Sequence, residues 1–267
     1  MDAHVPVMAG RRGLIMGVAN DHSIAWGIAS ALGRHGAELA FTYQSENLLK
    51  RVEPLAESVG SNIVLPCDVA EPGSIASVFD ALGERWDGID FVLHAVAYSD
   101  KSELQGRYLD TPRENFLRTM HISCYSFTEV ARLARPMLRP GGALLTLTYL
   151  GAERVMPNYN VMGVAKAALE ASVRYLAVDL GKAGVRVNAL SAGPMRTLAG
   201  SAIADARYVY KKTAERSPIR RAVSLDEVGN SGFYLLSPLS GGVTGETLYV
   251  DCGFNVVGMA KPDRSTE

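Results

Sequence analysis

Apolar and polar positions along this 267-residue chain alternate between two patterns. Short apolar runs at 13–17, 38–43, 62–66, 89–94, 143–148, 185–190 and 247–250 are bounded by turn residues, as buried parallel strands are. Between them, helical periodicity covers 23–36, 48–59, 73–86, 113–137, 159–181 and 225–236. Ser23 stands where an N-cap is wanted, and Gly36 and Pro140-Gly141-Gly142 are stop signals. The stretch 195–217 is also helical in pattern but polar and rich in small residues, which suits a movable cover over a pocket. Strand and helix in strict alternation predict an α/β fold: a Rossmann-type doubly wound parallel sheet of about seven strands with helices on both faces. No repeat or linker breaks it, so 1–267 reads as a single domain.

Composition narrows the function classes. A net charge of −1 gives no general attraction to nucleic acid or to an anionic membrane. No apolar run approaches the ~20 residues of a membrane span, and the N-terminus lacks the pattern of a signal peptide. Cys67, Cys124 and Cys252 are odd in number and widely spaced, as reduced thiols in a cytoplasmic protein would be. The five histidines show no metal-ligand spacing, so no metal site is expected.

Ligands of such a sheet bind beyond the carboxyl ends of the strands, where the strand order reverses. The turn from Gly17 to Gly27 lies there. Gly17 permits a tight bend, and Ser23 and Ile24 bring amides to a helix N-terminus, which favours a pyrophosphate. Ser23 replaces the second glycine of Gly-x-Gly-x-x-Gly, so the turn alone is equally consistent with a glycine bend and a serine cap. Asp68-Val69, after the third strand, reads evenly as an adenine contact or a helix N-cap region. The second strand ends in Tyr43-Gln44-Ser45, with neither a carboxylate for a ribose hydroxyl nor a nearby cation for a 2′-phosphate, a mild preference for NAD over NADP.

At the other end of the prospective pocket, Tyr159 and Lys166 are about two helical turns apart and share a helix face. An ammonium beside a phenol is expected to draw the phenol's pKa down toward working pH. Tyr149, at the end of the fifth strand, would add a second phenol. Taken alone, the pair reads better as a packed aromatic and a solvated lysine; the residues before and after it reverse that.

Together and in order, these residues make the chain similar to the short-chain dehydrogenase/reductase superfamily. Within it, the chain resembles the divergent branch with Tyr-x-x-Met-x-x-x-Lys, that of the NADH-dependent enoyl-acyl-carrier-protein reductases of bacterial type II fatty-acid synthesis. The resemblance runs from Gly13 to about Phe254. It rests on Gly17-Val18-Ala19 with Ser23-Ile24-Ala25, on Glu38–Gln44 as Glu-Leu-Ala-Phe-Thr-Tyr-Gln, and on Cys67-Asp68-Val69. Further on it rests on Tyr149-Leu150-Gly151-Ala152-Glu153-Arg154, Pro157-Asn158-Tyr159-Asn160-Val161-Met162, and Ser191-Ala192-Gly193-Pro194-Met195-Arg196-Thr197.

The resemblance implies reduction of trans-2-enoyl thioesters with NADH/NAD as cofactor. Gly17, Ala19, Ser23 and Ile24 would contact the pyrophosphate and ribose, Gln44 the adenosine side, and Asp68 and Val69 the adenine. Lys166 would hold the nicotinamide ribose, with Ala95, Val96, Pro194, Met195 and Thr197 lining the nicotinamide end. Tyr159 would bond the thioester oxygen; Tyr149, Met162, Ala97 and Tyr98 would line the acyl pocket. Many relatives carry glycine and phenylalanine at the positions of Ala97 and Tyr98. The strand end Thr146-Leu147-Thr148-Tyr149 lacks the serine of ketone-reducing members, which favours the enoyl reaction. A ketone or alcohol reductase, and a dinucleotide-binding protein without turnover, are the competing readings. The partners implied are an acidic acyl carrier protein, docking at Arg207, Lys211 and Lys212 unless these form a solvated helix face, and three further copies in a homotetramer.

Overall fold

The computed structural model describes residues 6–198, 200 and 204–259. Its strands are β1 (Arg12–Met16), β2 (Glu38–Tyr43), β3 (Val64–Pro66), β4 (Ile89–His94), β5 (Leu138–Thr148), β6 (Arg186–Ala192) and β7 (Thr247–Val250). They form one sheet in the order β3-β2-β1-β4-β5-β6-β7, parallel at every pairing. The helices are α1 (Ile24–Arg34), α2 (Glu46–Ser58), α3 (Ser74–Gly83), α4 (Arg113–Met120), α5 (Ser126–Ala134), α6 (Asn160–Gly181), α7 (Ala206–Arg216) and α8 (Leu225–Leu236).

Strand side chains alternate between two cores, as the period of two requires. Leu14, Met16, Val92 and Leu144 face α3, α5 and α6, where Phe79, Phe127 and Leu169 meet them. Ile15, Phe91, Leu93 and Leu145 face α1, α2 and α8, where Ile28, Val52 and Phe233 close the opposite layer. Covered on both sides, β4 and β6 are buried throughout, and their buried Asp90, His94, Arg186 and Asn188 side chains are all hydrogen-bonded.

Three elements differ from the sequence expectation. The helix expected over 113–137 is α4 and α5 joined by a π-helical turn, His121–Tyr125. That wider turn places one additional residue in the ladder. It brings Phe127, Ala131 and Ala134 onto the inner face while Glu129 points outward to Arg132. Next, β5 begins before the Pro140-Gly141-Gly142 stop signal. Leu138 pairs with Ile89 and Ala143 with Phe91, so the residues between bulge out of register, with Gly141 at φ +83°. The bulge is held from outside, where Arg11 and Arg139 pair with the buried Asp90 carboxylate. Finally, among the described residues of the 195–217 stretch the α-helix is α7. Residues 194–197 form an irregular loop in which the Thr197 amide closes onto the Met195 carbonyl and Gly200 donates to Thr197 Oγ1. Residues 199 and 201–203 lie outside the described residues.

Candidate active site

The chain leaves β1 and β4 in opposite directions across the sheet, so their carboxyl ends form the switch point. Gly17 sits there at φ +95°, where an added Cβ would overlap the Ala95 carbonyl oxygen and lie 2.6 Å from its carbon. Only glycine fits between the two strand ends. Ser23 does not cap α1 in the expected way. Its Oγ accepts from the amides of Ala19 (3.0 Å) and Asn20 (3.1 Å) and donates to Asn20 Oδ1, so it shapes the turn instead. The Ile24 and Ala25 amides at the start of α1 precede its first backbone bonds, which Trp26 and Gly27 make to the Ser23 carbonyl, and lie at the positive end of the helix. A glycine-only cradle below a helix N-terminus fits a pyrophosphate.

At the ends of β2 and β3, Gln44 Nε2 donates to Asp68 Oδ2 at 3.0 Å, which brings the two adenosine-side candidates together. Asp68 also serves the bland role: its Oδ1 accepts from the Ala70 amide and its own amide donates to Ser74 Oγ. Val69 is buried in the core beside α3.

At the reacting end, Tyr149 follows β5 and Tyr159 forms the N-cap of α6, one residue before the helix itself. Their rings meet edge to face, 5.1 Å between centroids at 80°. Gly151 makes this seat: an added Cβ would stand 2.7 Å from Cε1 of Tyr159. Leu104, Met156 and Met162 complete the apolar cluster. Lys166 is buried, and its Nζ donates to the Leu147 carbonyl at 2.8 Å.

The electrostatics overturn one expectation. Burial pushes the Tyr159 phenol well above its ordinary range, and Tyr149 and Glu170 push it further. Lys166 is drawn down to about 8 by burial. Desolvation disfavours both charged forms, the phenolate as well as the ammonium. Tyr159 is therefore a neutral hydrogen-bond donor across the working pH range, and the ammonium is the group near titration.

The hydroxyls at the end of β5 are turned to other tasks. Thr148 Oγ1 donates to Glu170 Oε1 at 2.6 Å, and Thr146 Oγ1 bonds the backbone and ring of His94. Neither takes the place of the serine that a ketone-reducing site requires. His94 is wholly buried between Thr146 and Ser126, and burial pulls it down to about 3, so it is a neutral core residue.

Several supporting residues had no counterpart in the sequence reading. Glu170 lies one turn beyond Lys166, a spacing that was visible but carried no motif. Asn158 and Asn160 flank Tyr159 at φ 62° and 41°, conformations that asparagine tolerates. Asn158 Nδ2 donates to the Ala204 carbonyl and to Asp205, while Asn160 Nδ2 donates to the carbonyls of Glu103 and Gln105. The catalytic turn is thereby tied to the start of α7 and to the 103–105 loop. From the π turn, Ser123 Oγ accepts from the Tyr98 amide and donates to the Tyr98 carbonyl.

That grip fixes the segment after β4. Ala95 and Val96 are half-buried and Ala97 is exposed. The Tyr98 phenol is engaged by Asp100 and covered by the Arg118 guanidinium rather than joined to the Tyr149–Tyr159 cluster. Pro194, Met195 and Thr197 follow β6, with Met195 packed on the α1–α8 core. Of the three cover cations, Lys211 and Lys212 both pair with Glu215, at 3.8 and 2.7 Å, and Arg207 is exposed.

A family model described as enoyl-(acyl carrier protein) reductase matches residues 17–255. A Rhizobium meliloti (strain 1021) protein named enoyl-acyl-carrier-protein reductase (NADH) 2 is 62% identical over 253 residues, covering 95% of this chain and 94% of that protein. The crystal structure of FabI from Candidatus Liberibacter asiaticus superposes with a TM-score of 0.94 at 54% identity, covering 96% of this chain and 100% of that one. The Anaplasma phagocytophilum enoyl-(acyl-carrier-protein) reductase in complex with NAD gives 0.92 at 58% identity, covering 96% and 98%.

Proposed function

The chain belongs to the enoyl-(acyl carrier protein) reductase family, and on that footing we propose how its own residues perform the family's reaction. The reaction reduces the carbon–carbon double bond of an enoyl-acyl-carrier-protein thioester with NADH, the enoyl-reducing step of fatty-acid synthesis. The observation that carries the assignment of roles is the edge-to-face pair of Tyr149 and Tyr159 at the carboxyl end of β5, with buried Lys166 bonded to the Leu147 carbonyl on the same strand end.

When bound, NADH supplies a hydride at its nicotinamide ring. The cradle at Gly17, with Ala19 and Ser23 shaping its turn and the Ile24 amide at its rim, and the Gln44–Asp68 pair would hold its pyrophosphate and adenosine. Val69, Ala95, Val96, Pro194, Met195 and Thr197 would line the rest of its site. Lys166 has three N–H donors and uses one on Leu147, which leaves two for ribose hydroxyls.

As C3 of the enoyl group takes up hydride, negative charge develops on the thioester oxygen. Tyr159, kept neutral by burial, donates a hydrogen bond to that oxygen, and the nearby ammonium adds favourable potential in a site with little water. C2 then takes a proton to give the saturated thioester. Tyr149, Met162, Ala97 and the backbone at Tyr98 border the acyl chain.

Loss of absorbance at the reduced nicotinamide band, with NADH and a crotonyl thioester, tests this directly. Tyr159→Phe is expected to lower kcat roughly 10²–10³-fold, the usual cost of removing one donor to a developing oxyanion. Turnover of a ketoacyl thioester alone would overturn the enoyl assignment.

For the carrier protein, α7 offers Arg207, with Lys211 and Lys212 half-neutralised by Glu215. Charge reversal at Arg207 should therefore raise KM for acyl-carrier substrates more than reversal at either lysine. A homotetramer is proposed on family grounds, with exposed Tyr175 and Val178 on α6 as an apolar face for another copy.

A further inference from the structure

Counted from Tyr159, the α6 residues Gly163, Lys166 and Glu170 follow at i+4, i+7 and i+11, so all four lie on one helix face. That face is laid along residues 147–151 at the end of β5. An added Cβ at Gly163 would stand 2.7 Å from the Gly151 carbonyl oxygen, so only glycine lets the two backbones meet there. Lys166 Nζ donates to the Leu147 carbonyl at 2.8 Å, and Thr148 Oγ1 donates to Glu170 Oε1 at 2.6 Å. Glu170 is the far end of this seam, and the reaction described above gives it nothing to do.

Its chemistry asks for a reason. Glu170 and Thr148 are both buried. A glutamate is almost never buried without a partner, and here the donor is a neutral hydroxyl. Burial pushes the carboxyl up, and the Thr148 hydrogen bond draws it back. Packing alone would be served by leucine.

The two bonds together constrain what neither constrains alone. A helical turn advances ~5.4 Å and a strand residue ~3.3 Å. Anchors one turn apart on α6, reaching the consecutive residues Leu147 and Thr148, fix both the slide and the rotation of the helix against the strand end. With the Leu147 bond alone, α6 is free to pivot about Lys166. Tyr149 is the next residue of the chain, and its ring meets that of Tyr159 edge to face. A pivot would therefore shift the ammonium and both phenols against one another.

We propose that Glu170 is a positioning residue: through the Thr148 hydroxyl it locks α6 onto the end of β5, and so holds Lys166 and the Tyr149–Tyr159 pair in the arrangement that hydride transfer requires. This rests on the enoyl-reductase reading and extends it to a residue that acts through its neighbours.

The test measures kcat and KM for a crotonyl thioester at saturating NADH. Thr148→Val and Glu170→Leu each remove one partner with a side chain of similar size, whereas Thr148→Ser keeps the donor and Glu170→Gln keeps an acceptor oxygen. The first two should lower kcat roughly tenfold and change KM less than about twofold, because misplaced catalytic groups act on the transition state. The two conservative variants should retain most of kcat. The double variant Thr148→Val/Glu170→Leu should lose no more than either single one, since both remove the same bond. Ser61→Ala deletes a buried bond to the Leu39 carbonyl at the amino end of β2, and should lower the melting temperature while leaving kcat unchanged. Unchanged kcat in Thr148→Val and Glu170→Leu would overturn the proposal. So would additive losses in the double variant, or Glu170→Gln as impaired as Glu170→Leu. A wild type that failed to turn over the crotonyl thioester would instead remove the enoyl-reductase reading, whereas variants that match an active wild type remove the proposal alone.

Discussion

Lys166 is held at a cost in stability, and Lys166→Met should expose it. The folded value of about 8 lies below the ordinary lysine value of 10.5 because burial disfavours the ammonium. The unfolded chain therefore binds more protons than the folded one between those values, so stability rises with pH across that window and is lowest below it. At 1.36 kcal/mol per pH unit, the deficit at neutral pH is about 3 kcal/mol and shrinks to roughly half of that near pH 9.5. Methionine fills similar volume without charge, but it leaves the Leu147 carbonyl, now bonded at 2.8 Å, without its donor. That loss opposes the gain by about 1 kcal/mol. The variant should thus be more stable than wild type by about 2 kcal/mol at neutral pH and about equal near pH 9.5, while losing most of its activity. Urea denaturation of both ligand-free proteins across this range measures the difference. A variant less stable than wild type at pH 7, or a gap that does not change with pH, would refute the reasoning.

Gly17→Ala should combine a strained backbone with an overlap onto Ala95, destabilising the protein by roughly 3 kcal/mol and weakening NADH binding at least tenfold, as urea melts and fluorescence titration would report. Asn158→Ala removes both amide bonds to the start of α7, at Ala204 and Asp205. Amide hydrogen exchange across Ala206–Arg216 should then accelerate about tenfold with little change in melting temperature. Because Tyr159 ionises far above the working range and Lys166 near 8, the alkaline limb of kcat/KM should begin close to pH 8.

The alternation that generates the sheet was legible because covered strands must be apolar on both sides, and Gly17 because a bend of that kind needs glycine. The π turn was not legible: His121–Tyr125 differs in no propensity from the helix around it, and only packing on both sides fixes the phase. The start of β5 was hidden because Pro140 and the following glycines signal a break, whereas the Asp90–arginine cluster holds the bulge from another part of the chain. Tyr159 and Lys166 were recognisable as a pair, but the direction of their titration depends on depth, which spacing does not encode. Asn158, Asn160 and Ser123 act through backbone groups distant in sequence, a signal that residue order does not carry.

Deleting a residue from a helix is ordinarily among the harshest edits a chain can receive, since everything beyond it rotates by about 100°. Between α4 and α5 the reverse holds. The π turn already contains one residue more than a regular ladder needs. Excision of Ser123 would let the ladder close with both flanking helices left in place, so the layer of Phe127 and Val130 should survive intact. What would go is the pair of bonds that clamps the backbone of Tyr98. At this point a frame-preserving deletion becomes a finer tool than a substitution: it separates the scaffold from the wall of the pocket, and marks a place where the chain can change length and thereby alter what the pocket admits.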